Sequence, residues 1–282
     1  MRRATGRRQL PEPLRAVNVV GVLAGVGFLL PLCWLVVGAF KSPNDLARFP
    51  PVLLPDPPTL ENFRTAFVDQ GFTGFLVNSM VVGLLSTCCV IGLGIPAAYA
   101  LGRTTMTGRT SILVGLLIVS VFPVIAVVPP LFVILRAADW LNSYQALVLP
   151  YAAFNLPLAI WIMRGSFLSI PREMEESAEV DGASTLRTVV QVVLPQAMPG
   201  IFVAAVLTFV ACWQEFLMAL SFNTAADLQT VPVGISLFGG GFELPYGTIF
   251  AASCVALLPV VVIVVLLRRW IVGGLSSGAV KG

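Results

Sequence analysis

Long apolar runs alternate with short polar segments along this chain. The runs lie at roughly residues 17–40, 77–101, 111–135, 145–163, 199–222 and 247–267, and between them they hold a single charged residue, Glu215. Each is long enough to cross a bilayer whose hydrocarbon is about 30 Å thick. The pattern predicts an all-α membrane protein of six transmembrane helices. A six-span domain over residues 17–271 would follow a basic N-terminus, 1–16, and precede a short tail, 272–282. The basic start "MRRATGRR" resembles that of a signal peptide, but the apolar run behind it exceeds the usual ~7–15 residues. It is expected to remain as an anchor.

Composition agrees with the pattern. The chain is 57% hydrophobic and 11% charged, whereas soluble domains carry about 25% charged residues. The five cysteines, Cys33, Cys88, Cys89, Cys212 and Cys254, fall in apolar runs without metal-ligand spacing and read as small core residues. No metal site is expected. Histidine is absent, which removes the commonest general base near neutral pH and makes a membrane-embedded enzyme less plausible.

Orientation follows from the basic residues, because positive loops are retained in the cytoplasm. Thirteen of the 17 Lys and Arg residues fall on the side of the two termini, among them Arg103, Arg109, Arg164, Arg172 and Arg187. Only Lys41, Arg48, Arg64 and Arg136 fall on the other side. Both termini are expected in the cytoplasm, with the loop 164–198. A Pro-rich first loop and a Gly-rich loop, 222–246, are expected outside.

The inner loop is unusual. "PREMEESAEVDGASTLRTVVQVVLP", from Pro171, holds five of the fourteen acidic residues: Glu173, Glu175, Glu176, Glu179 and Asp181. Pro171 suits a first helical position, and Glu173 and Glu175 favour the positive end of the helix dipole. Gly182 supplies a stop, and Ser184 can cap a second short helix through Leu186, Val189 and Val193 until Pro195 ends it. Arg172 can pair with Glu176 one turn on, while Glu175 and Glu179 repel at the same spacing. Met174 and Ala178 share a face. The elbow is either a docking surface of apolar knobs rimmed by carboxylates or a solvated loop helix.

Within the spans Glu215 needs an explanation, since a carboxylate at the bilayer centre costs about 2.5–3.5 kcal/mol on insertion scales. It is either a hydrogen-bonded structural residue near the outer interface or part of a cavity lining. Asn78, Tyr151, Asn155 and Gln214 are further candidates for a pathway. Pro96, Pro123, Pro129, Pro130, Pro157 and Pro259 interrupt spans, which membrane helices tolerate when neighbours satisfy the freed carbonyls. "GRTTMTGRT" is no phosphate loop, because five residues separate its glycines where that loop has about four, and Arg109 replaces the lysine. "GLGIPA", from Gly92, has no preceding strand and reads as close helix packing.

"EESAEVDGAS", followed by Leu194 and Pro195, closely resembles the EAA loop of permease subunits in ABC importers. Glu176, Ser177 and Ala178 take the EAA places, with serine where alanine is usual, and Gly182 is the loop's glycine. "PTLENFRTAF", "VNSMVVGLLSTC", "AAYALGR", "CWQEFLMAL" and "GLSSGAVKG" are similar to permeases of carbohydrate importers of the maltose and trehalose type. Gln214 departs from the asparagine common there. The resemblance covers nearly the whole chain.

It implies the type I ABC importer permease fold and a bacterial cell-membrane location. The implied partners are a second homologous permease, two ATPase subunits and an extracytoplasmic solute-binding protein. ATP and Mg would be bound by the ATPase subunits and no cofactor by this chain, which would not itself be an enzyme. Glu173, Glu175, Glu176, Ser177, Ala178, Asp181, Gly182, Leu194 and Pro195 would form the coupling loop held by an ATPase. Phe238, Gly239, Gly240, Gly241 and Phe242 would reach the binding protein, and a neutral sugar or oligosaccharide would be the cargo. An ion-coupled transporter acting alone is the alternative. It needs acidic or imidazole relays at membrane depth, for which only Glu215 qualifies.

Overall fold

The structure, a computed structural model, describes residues 12–239 and 244–279. Among them the regular structure is helical throughout. Helix α1 (Glu12–Ala39) precedes two short helices, α2 (Pro43–Ala47) and α3 (Glu61–Arg64). Next come α4 (Phe72–Arg103), α5 (Arg109–Val121), α6 (Val124–Ala137) and α7 (Gln145–Ser169). The short α8 (Glu173–Val180) and α9 (Thr185–Thr188) lead into α10 (Leu194–Trp213), and α11 (Leu217–Phe222), α12 (Val231–Ser236) and α13 (Tyr246–Ala279) follow.

Helices α4, α7 and α10 pack on one another at the centre. Val90, Ala98, Ile160, Met163, Phe167, Ala197 and Ile201 form the core between them. Small residues let these helices approach, as is usual where lipid leaves no hydrophobic drive between helices. A Cβ on Gly200 would lie 1.7 Å from Ser166 Oγ, and one on Gly94 would lie 2.4 Å from Met163 Cε. Helix α13 packs on α10, and α1 packs on α13. The outward faces carry exposed Val20, Leu23, Phe28, Leu93, Ile118 and Leu266, as hydrocarbon-facing surfaces do. Several cysteines share those faces. Cys33 and Cys88 are exposed, Cys89 and Cys254 half-buried, and only Cys212 is a core residue.

Five stretches are apolar and long enough to span: Val19–Ala39, Phe72–Arg103, Gln145–Ser169, Thr185–Trp213 and Tyr246–Leu267. The third expected span is not one straight helix, because α5 and α6 meet at a bend of 92°. Phe122 is extended (φ −65°, ψ 131°) ahead of Pro123, whose ring and missing amide prevent the helix from continuing. The segments flanking the bent pair touch different parts of the bundle. The pair starts beyond Arg103, whose Nη2 donates to the Ile170 carbonyl at the end of α7 (2.5 Å). After it ends, the Asn142 amide donates to the Phe222 carbonyl at the end of α11 (3.0 Å).

Two further boundaries differ from expectation. The helix does not stop at Pro195: the chain is helical from Thr185 to Trp213, with a π-helical widening over Val189–Val193. That wider turn admits the proline without a break. The fifth span instead ends at Trp213, and a new helix starts at Leu217.

Candidate functional site

The inner elbow is a well-terminated piece of chain. Helix α8 starts at Glu173 rather than at Pro171, with Arg172 as its N-cap and Pro171 just outside. It ends where Gly182 adopts φ +80°. The Gly182 amide donates to the Glu179 carbonyl (2.9 Å) and the Ala183 amide to the Ala178 carbonyl (2.9 Å). This is the Schellman closure, which satisfies two end carbonyls and needs a left-handed residue at the position Gly182 holds. Ser184 then caps α9, its Oγ accepting from the Arg187 amide (3.4 Å).

The acidic residues divide into two groups. Glu175 turns inward: its Oε1 lies 2.9 Å from Arg103 Nε, and the two side chains are 17% and 5% exposed. Its Oε2 accepts from the Tyr99 hydroxyl (3.2 Å). Arg164 Nε donates to the Leu101 carbonyl (3.0 Å), which holds the ends of α7 and α4 together. The elbow, α4 and α7 are therefore fastened to one another. The expected Arg172–Glu176 pair is absent, and Arg103–Glu175 is the one ion pair among the described residues.

Glu173, Glu176, Glu179 and Asp181 are exposed. Beside them Val180 is 88% and Leu186 74% exposed. Ala178 and Leu194 are half-buried, and Met174, Ser177 and Pro195 are exposed. The strongest apolar knobs are thus Val180 and Leu186, flanking the Gly182 turn, rather than Met174 and Ala178. Leu186 points away from the core because Thr188 and Val193 occupy the inward face of that segment. The signal for both knobs was their place on either side of a chain reversal, where little remains to pack against.

A second cluster forms where the helices break. Ser120 and Phe122 at the α5–α6 junction, Tyr151, Phe154 and Asn155 on α7, and Glu215 between α10 and α11 line a cavity of about 230 Å³. Glu215 sits at the break between α10 and α11. Its Oε1 accepts from the Met218 amide (2.9 Å) and its Oε2 from the Ala219 amide (3.1 Å), so the carboxylate caps α11. The Tyr151 hydroxyl also donates to Oε2 (2.5 Å). Both roles left open for this acid meet in one residue: it is hydrogen-bonded and it lines a cavity.

Gln214 is exposed and does not line that cavity. Asn78 lies elsewhere, buried, its Nδ2 donating to the carbonyls of Asp227 (2.8 Å) and Gln229 (2.9 Å). Its Oδ1 accepts from the Tyr144 hydroxyl (2.8 Å). The amide clasps the segment before α12 to α4 with both its donors and its oxygen engaged.

In the outer loop Phe238 is buried and meets Phe72 edge-on, with ring centroids 6.1 Å apart. It anchors the loop rather than projecting from it. Gly239 is half-buried, and Gly240, Gly241 and Phe242 lie outside the described residues. Leu244 and Tyr246 are exposed.

Residues 90–276 match the family described as binding-protein-dependent transport system inner membrane component. The sulfoquinovosyl glycerol transport system permease protein of Agrobacterium fabrum is 41% identical over 271 residues, covering 96% of this chain and 94% of that one. The trehalose/maltose transport system permease protein of Thermococcus litoralis is 37% identical over 272 residues, covering 95% and 97%. Among solved structures, a bacterial ABC transporter involved in the import of the acidic polysaccharide alginate has a chain that superposes with a TM-score of 0.78 at 19% identity, covering 93% of this chain and 99% of that one.

Proposed function

We propose, from the premise that this chain belongs to the family of binding-protein-dependent transport system inner membrane components, that it is the permease subunit of an ATP-driven importer whose cargo is a sugar or oligosaccharide. The relatives named for trehalose/maltose and sulfoquinovosyl glycerol, matched over nearly their whole length, support the cargo class. The observation that carries the mechanism is the fastened elbow. Its outer face offers Val180 and Leu186 among exposed carboxylates, a composition that fits a groove of a partner. Its inner face is tied to α4 and α7 through Glu175, Arg103 and Tyr99. An ATPase that grips the outer face and moves on binding ATP would carry both helices with it.

In this reading two ATPase subunits bind ATP and Mg, and a second homologous permease completes the pathway. A solute-binding protein delivers cargo to the outer side, near the loop 222–246. The charge partition supports placing both termini and the elbow in the cytoplasm of a bacterial cell. The test is reconstitution of the tagged chain, co-purified with its partners, into proteoliposomes. Uptake should require MgATP, the binding protein and the ATPase subunits. Uptake by the isolated chain in ATP-free vesicles would instead make it an ion-coupled transporter.

A further inference from the structure

The cavity at the helix breaks has a one-sided chemistry. Among its polar lining residues every N–H and O–H donor is already engaged. The Tyr151 hydroxyl donates to Glu215 (2.5 Å) and the Ser120 hydroxyl to the Leu116 carbonyl (2.9 Å). Asn155 Nδ2 donates to the Tyr151 carbonyl (2.8 Å) and to Cys212 Sγ (3.8 Å). Acceptors remain. Asn155 Oδ1 accepts no bond from the described residues, the Ser120 oxygen keeps its lone pairs, and a carboxylate has about four acceptor sites, of which Glu215 uses three.

No lysine or arginine lines the cavity, while Phe122, Phe154 and the Tyr151 ring supply apolar walls. Its rim is made by two interrupted helices, α5–α6 and α10–α11, with α7 between them. Interrupted membrane helices commonly mark a transport site, since non-helical backbone at membrane depth persists only where protein or a cavity satisfies it.

We propose that this cavity is a transient binding subsite for a neutral polyhydroxylated ring during passage, and that this subunit therefore contacts the cargo itself. The ligand must bring the hydrogen-bond donors, which sugar hydroxyls do. The aromatic walls cover the apolar C–H faces of such a ring. A carboxylate or sulfonate group would meet Glu215 with no donor to receive it, and among donor-bearing ligands the relatives named for sugars favour a sugar over a cation. The assignment rests on the transport reading above.

The test uses the complete complex in proteoliposomes with its binding protein. Maltose, trehalose and cellobiose serve as neutral probes, and maltobionate serves as the anionic counterpart of maltose. Asn155→Leu keeps the number and branching of side-chain heavy atoms and places a good helix former there, but removes the free acceptor together with the Nδ2 donations to Tyr151 and Cys212. It should lower uptake of the transported neutral probe about tenfold, the scale of one lost hydrogen bond to a substrate. Complex assembly should stay at the unsubstituted level. Ser120→Ala, which alters one atom, should lower uptake several-fold in the same direction. Uptake within twofold of the unsubstituted complex for both variants overturns the subsite. Preference of the unsubstituted complex for maltobionate, or ATP-dependent uptake of none of the neutral probes, overturns the ligand class. Failure of the transport reading looks different: uptake would then not depend on MgATP at all.

Discussion

The mechanical role of the elbow turns on Arg103 and Glu175. Removing one partner of such a shielded pair costs about 3 kcal/mol, because the other charge stays desolvated and unpaired. Arg103→Glu or Glu175→Arg alone should therefore leave the complex assembled but separate ATP hydrolysis from uptake, with uptake falling at least tenfold. The double exchange should restore most of the loss. Measured uptake per ATP across the four complexes checks this, and a double variant no better than the singles would show that the two residues do not act as a pair. Glu175 illustrates what residue-level reading of the chain could not reach. The acidic run was visible, but its division into one inward and several outward carboxylates depends on a partner 72 positions away, on another helix. Arg103 looked like one topogenic charge among many. Glu215 was legible as an anomaly because charge inside a span always needs a reason. Its capping of α11 was not legible, since that requires knowing that the helix breaks beside it.

At the scale of elements, hydrophobic run length placed four spans close to their observed bounds, because bilayer thickness fixes how many apolar residues a crossing helix needs. It shifted the fifth, expected over 199–222 and found over Thr185–Trp213. Breaks were harder. The span holding Pro123 bends by 92°, whereas the helix continues through Pro195, where a π turn ahead of it admits the ring. The same residue type gives opposite outcomes according to the neighbouring turn. Gly182 is the clearest element-level signal. A Cβ there would meet nothing within 4 Å, yet the residue sits at φ +80°. Gly182→Val should thus act through backbone strain alone, roughly 1–3 kcal/mol, reorienting α9 and with it Leu186. Glu176→Lys tests the exposed rim without touching the turn and should weaken ATPase-subunit binding about tenfold. Co-purification and surface-binding measurements on the two variants check both. Normal association in both would reduce the elbow to an ordinary loop.

For the whole molecule the open geometric question is whether the bent α5–α6 pair crosses the membrane or dips in and returns. The contacts favour crossing. Arg103 at the end of α4 touches Ile170 and Glu175, so the loop before α5 shares an end with the elbow. Asn142 beyond α6 bonds to Phe222 and Ala225, so the pair finishes at the other end. An even number of crossings then separates Thr107 from Ser184, and an odd number separates Ser184 from Ala226. All three residues are exposed. Single cysteines at these positions, in a variant lacking Cys33, Cys88, Cys89, Cys212 and Cys254, give a direct measurement. With an impermeant thiol reagent Thr107→Cys and Ser184→Cys should label from the cytoplasmic side and Ala226→Cys from the outer side. A re-entrant α5–α6 pair would place Thr107 and Ser184 on opposite sides and reverse everything downstream. That would also put the elbow beyond the reach of any cytoplasmic ATPase. The charge partition and the packing of the bundle lead independently to the same six crossings, so this labelling pattern tests the fold and the coupling mechanism together.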